Sequence, residues 1–168
     1  MRRGAALALA AAVAASAGPA AAQTATGTPQ ALFTRQIVED TGAAKEIRDA
    51  LRARRVFVDP KVTFTELTGD GRQDAIALVD SGGAAGTIAV YVFSADGAKK
   101  LRPVYRSQRL YRALVATEGT TLLVRTPRYG AADDLCCPPA FVQRSLTWSA
   151  SAHRLVLRST QTVPASGR

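Results

Sequence analysis

Cys136 and Cys137 are the only cysteines in this 168-residue chain; they are adjacent and run into Pro138 and Pro139. Two neighbouring sulfurs admit four states: a vicinal disulfide, two thiols, bridges to other molecules, and a redox or soft-metal site. A bond between neighbours closes a small ring, demands a distorted turn and presents a rigid apolar sulfur surface. An oxidising compartment favours that state. The pair lacks the two-residue spacer of thioredoxin-type centres, and two sulfurs alone are too few for a closed zinc site. His153 is the only histidine, so a cysteine nucleophile has one conceivable imidazole base, and no multi-histidine metal site can form. We take Cys136 and Cys137 as a disulfide candidate whose first role is to stabilise a turn.

The segment Arg102 to Arg112 interleaves Tyr105 and Tyr111 with Arg102, Arg106, Arg109 and Arg112. Arginine beside aromatic faces can hold anionic polymers or headgroups, and the same residues would suit a charged sheet edge that discourages strand addition. We take Arg106, Arg109, Arg112, Tyr105 and Tyr111 as the candidate contact for an anionic ligand. Asp70 and Asp74 alternate with glycine in Leu67-Thr-Gly-Asp-Gly-Arg-Gln-Asp-Ala-Ile76. That spacing is a weak calcium candidate, because calcium needs six to eight oxygen ligands and Arg72 sits inside the loop. A glycine-rich β-turn organised by Asp70 explains the same residues. The Gly-rich stretch 81–86 leads into a strand, whereas a phosphate cradle should lead into a helix. No catalytic set, metal or cofactor follows from any of these motifs.

The elements that must position these residues come after an export signal. Met1-Arg2-Arg3, an apolar run to Ala17 and the small residues Ala20 and Ala22 read as a cleavable signal peptide over 1–22. The apolar run is shorter than the roughly 20 residues a membrane span requires, so no transmembrane segment is expected after cleavage. Removing 22 residues leaves 146, enough for one domain, and loss of Arg2 and Arg3 takes the net charge from +9 to +7. A basic chain favours anionic partners, and export argues against nucleic acid. Residues 23–31 read as a flexible leader, 32–163 as a single domain and 164–168 as a flexible tail.

Within the domain, Asp40 or Thr41 is placed to cap a helix whose apolar face is Ala43, Ala44, Ile47, Ala50 and Leu51. From Val56 onward, short β-branched and aromatic runs predict strands over 62–67, 75–80, 87–94, 101–106, 113–117, 121–126, 143–149 and 155–161. The connections, Asp96-Gly97 among them, are short enough for hairpins, which predicts an α+β fold with one N-terminal helix packed on a largely antiparallel meander.

Three pieces in this order resemble the LppP/LprE-type family of small secreted bacterial lipoproteins: residues 67–76, Val90-Tyr-Val-Phe93, and Asp133-Asp-Leu-Cys-Cys-Pro-Pro139 before a strand carrying Trp148. They span about half of the chain that follows the signal. The chain departs from that pattern in lacking the lipid-attachment cysteine and in having Pro139 where a small hydroxyl residue is expected. The resemblance implies an envelope location and a β-rich fold, and carries over no activity or catalytic residue. The sequence thus supports a noncatalytic exported envelope binding or interaction protein, periplasmic or secreted, of unknown ligand, with an anionic envelope component as the candidate partner. The alternative is a thiol enzyme or redox protein using the cysteine pair.

Overall fold

A computed structural model describes residues 27–95 and 100–165. The signal segment 1–22, the first part of the leader and the Asp96-Gly97 turn lie outside the described residues. The chain first forms a helix within the stretch read as leader and domain start. Pro29 occupies the first turn of α1 (Pro29–Glu39), where its missing N–H removes nothing, and the Thr28 hydroxyl accepts from the Ala31 amide at 3.3 Å. Phe33 and Ile37, one turn apart, are its buried residues.

The expected helix follows as α2 (Lys45–Arg52), burying Ile47 and Leu51. Its cap differs from the expectation. Ala44 is the N-cap residue and has no side-chain cap; its amide donates instead to Gln108 Oε1 at 2.5 Å. The Asp40 carboxylate serves the turn before the helix, accepting from the Gly42 amide at 3.0 Å.

Among the described residues nine strands follow, all paired antiparallel. The first sheet contains β1 (Phe57–Val58), β2 (Thr63–Thr65), β3 (Asp74–Asp80), β4 (Thr87–Ala95) and β5 (Leu101–Gln108). β1 and β2 lie end to end along one side of β3, and β4 and β5 extend the sheet on the other. The second sheet runs β6 (Leu114–Glu118), β7 (Thr121–Arg128), β8 (Ala140–Ser149) and β9 (Arg154–Pro164) in that order. The fold is α+β, as the sequence predicts, with two helices rather than one and with the meander divided into two sheets.

The division follows from which faces need covering. Ala75, Ala77, Val79, Ala89, Tyr91 and Phe93 of the first sheet pack with Phe33, Ile37, Ile47 and Leu51 of the helices. Successive strand residues point to opposite faces, so Ile76, Val90, Val92 and Val104 face away from the helices. They form a second core with Leu122, Val124, Leu146 and Leu155 of the second sheet. The result is three layers: helices, first sheet, second sheet.

The turn at 109–113 carries the chain between sheets. It is fixed by amides of Leu110, Arg112 and Ala113 that donate to the carbonyls of Ile88, Ala85 and Thr87. Arg109 and Arg112 both adopt left-handed backbone conformations, at φ 61° and 48°, which non-glycine residues seldom do.

Candidate functional site

The crossover separates the arginines that the sequence groups together. Arg106, still on β5, turns toward the helical layer. Its Nε and Nη2 donate to the two carboxylate oxygens of Asp40 at 2.5 and 2.8 Å. Asp40 is nearly buried there, with its side chain 8% exposed. Gly42 allows this approach, because a Cβ at that position would lie 2.8 Å from the Arg106 guanidinium carbon.

Arg109 stands in solvent, with Glu46 at 3.9 Å. Arg112 points to the cysteine loop, where its Nη1 donates to the Leu135 carbonyl and, at 3.3 Å, to the Tyr129 hydroxyl. Tyr111 packs edge-on to Tyr129, with ring centroids 6.4 Å apart. Tyr105 lies apart from both, between the sheets.

The loop that follows β7 holds Cys136 and Cys137 at disulfide distance in exposed positions. The Tyr129 hydroxyl donates to the Leu135 carbonyl at 2.9 Å, and the Gly130 amide donates to Asp133 Oδ2 at 2.6 Å. Cys136 lines a recess of about 220 Å³ with Arg112, Leu114, Pro127, Tyr129, Pro138 and Phe141. His153 is in the turn after β8, whereas the cysteines precede the start of that ten-residue strand. At about 3.3 Å per residue, the strand holds the imidazole roughly 30 Å from the sulfurs. The only histidine is therefore not placed as a base for either cysteine.

Asp70 and Asp74 organise the loop before β3. Asp74 is 1% exposed, and its Oδ2 accepts from the amides of Leu67 and Thr68 at 2.8 and 3.0 Å. Asp70 accepts from the Arg72 amide at 2.9 Å, and Gly69 and Gly71 supply positive φ. Among the described residues no group of three or more His, Cys, Asp or Glu side chains could hold a metal.

A larger groove, about 570 Å³, opens between the sheets along the edge strands β5 and β9. Pro103, Val104, Tyr105 and Arg106 form one wall, Arg154, Leu155, Val156 and Leu157 the other, and β8 contributes Arg144 and Leu146. Ala152 and His153 complete the lining, which contains no carboxylate. Burial pushes the Tyr105 phenol up, with a hydrogen bond to Ser107 and the Arg144 charge acting the other way. Tyr105 is therefore a neutral hydroxyl at physiological pH.

At one end of the groove Arg102 Nη1 donates to the His153 carbonyl at 3.0 Å, bridging the two sheets. The same guanidinium lies over the Trp148 ring, 5.8 Å from its centroid.

Arg144 and Arg154 did not emerge from the sequence reading. A signal for Arg144 was present: it shares the period-2 face of β8 with Leu146 and Trp148, both packed in the inter-sheet core. A charged residue on the inward parity of a strand marks a place where the core opens. Arg154 has no comparable mark, because it begins an edge strand in a polar turn.

Compared with known proteins, the chain matches no family model, no curated protein and no solved structure. Among the described residues no helix is long and apolar enough to cross a membrane.

Proposed function

We propose that this protein is a noncatalytic, exported binding protein of the cell envelope and that its ligand is anionic. The observation that carries this reading is the inter-sheet groove, whose lining includes Arg106, Arg144 and Arg154 and no carboxylate. Arg106 already has Asp40 as a partner. The charges of Arg144 and Arg154 are left to attract an anion, in a chain whose formal net charge is +9 with the signal segment and +7 without it. Export rests on the sequence of residues 1–22 and on the resemblance to secreted envelope lipoproteins.

The test is retention of the purified protein on anionic envelope fractions. Replacing Arg144 and Arg154 together by glutamate is expected to reduce retention at least tenfold at low salt. Arg109→Glu, on the exposed crossover, serves as a comparison of equal charge change per site. Retention that survives the double reversal would remove the groove as the contact, and loss only with Arg109→Glu would move the contact to the crossover.

A further inference from the structure

Arg144 is half-buried on the inward face of β8. A charge withdrawn from water ordinarily has a partner, because desolvation without one is costly. Among the described residues no carboxylate pairs with Arg144 and no hydrogen bond engages its guanidinium. Its electrostatic neighbour is the neutral Tyr105, whose hydroxyl leaves the positive charge uncompensated.

The surroundings of that charge are apolar on one side. Leu146, Leu155, Val156 and Leu157 line the groove beside it, and Leu157 remains 54% exposed. The volume of about 570 Å³ falls within the roughly 300–1,000 Å³ typical of small-molecule sites.

The groove is also short. Four residues of each edge strand line it, about 13 Å of strand, and the Arg102–His153 bridge joins the sheets at one end. A long polyanion would need an open track of repeated charges. This geometry offers one recessed charge next to one apolar floor.

We infer that the groove binds a small amphiphilic anion, with a single phosphate or carboxylate head at Arg144 and an apolar chain along Leu155 and Leu157. This rests on the anionic-ligand reading above and names the class of ligand. Arg154 and the Tyr105 hydroxyl are the further donors available to the head, and a monoanion at Arg144 would supply the partner that the fold withholds.

The experiment titrates the full-length protein, by calorimetry and by the fluorescence of Trp148, its only tryptophan. The probes are monomeric decyl phosphate, inorganic phosphate and the neutral decyl maltoside, each below its micelle concentration. Decyl phosphate is expected to bind at least tenfold more tightly than either of the others. Arg144→Gln should weaken it at least tenfold, and Leu157→Asn several-fold, with unchanged circular dichroism showing that both variants fold. If Arg144→Gln does not fold, Tyr105→Phe and Leu157→Asn carry the same comparison.

Equal affinity for decyl phosphate and inorganic phosphate, or an affinity indifferent to Arg144→Gln, would overturn the inference while leaving an anion-binding protein. So would binding of poly-glutamate, lost in the Arg144→Glu/Arg154→Glu variant, without binding of decyl phosphate. Failure of every anion, with decyl maltoside bound or not, would overturn both readings.

Discussion

The distribution of charge among single residues decides what each arginine can do. Arg106 is held by two hydrogen bonds to a carboxylate shielded from water, so it joins β5 to the turn between the helices. Arg112, with Tyr129, instead anchors the cysteine loop through one backbone carbonyl. That anchor does not involve sulfur, and the loop is exposed. The bond between the neighbouring cysteines is a separate constraint on that turn, so Cys136→Ser together with Cys137→Ser is expected to lower stability by about 0.5–3 kcal/mol, as read by urea denaturation. The chemical state of the pair is read directly by alkylating the folded protein before nonreducing digestion. Because export, as proposed, takes the chain to an oxidising compartment, which favours the bonded state, the peptide spanning them should emerge unalkylated and two hydrogens lighter. Two alkylated thiols would favour the thiol or redox alternative.

At the scale of elements, α1 is a structural layer and not an appendage. Phe33 is 1% exposed and meets Phe93 with ring centroids 5.2 Å apart and Phe64 at 6.3 Å. Phe33→Ala is expected to cost about 3–5 kcal/mol, the usual range for emptying such a site, as read by urea denaturation. A loss under about 1 kcal/mol would mean that the helix contributes little to the core. The sequence conceals this helix because Gly27, Thr28 and Pro29 look like leader composition, although a threonine followed by proline is also a helix start. The eight strands read from the sequence all occur, since each is bounded by turn residues and carries its own apolar pattern. β1 was too short to register. The separation into two sheets was legible in principle: residues 75–79 and 88–93 are continuous apolar runs, as strands covered on both faces require, whereas Ser145-Leu-Thr-Trp-Ser149 of β8 alternates. The groove was not legible, because it depends on how β5 and β9, 46 residues apart at their last and first residues, come to face each other across the sheets.

For the molecule as a whole, the three layers place two tyrosines where ionisation opposes the fold. Tyr91, fully buried between the helices and the first sheet, donates from its hydroxyl to Gln108 Oε1 at 2.8 Å. Burial, reinforced by the negative charge of Asp40, pushes its phenol well above the ordinary value of 10.0, against smaller opposing effects of Arg106 and Arg48. Tyr105 is raised from the same value, chiefly by burial on the other side of the sheet. In the unfolded chain both phenols release their protons near pH 10, whereas in the folded protein they retain them. The unfolded state thus binds fewer protons above that pH, and stability must fall as pH rises. The contribution is fully present below pH 10 and is lost as pH climbs from 10 through the raised folded values. For Tyr91 the slope approaches about 1.4 kcal/mol per pH unit once the unfolded phenol is ionised. Tyr91→Phe should therefore lower stability at pH 8, by losing the bond to Gln108, yet fall less steeply than the wild type between pH 10 and 11. Urea midpoints measured at intervals from pH 8 to 11 would show the two curves converging. Curves that stay parallel throughout would place the Tyr91 phenol in contact with solvent, and with it part of the interface between the helices and the first sheet.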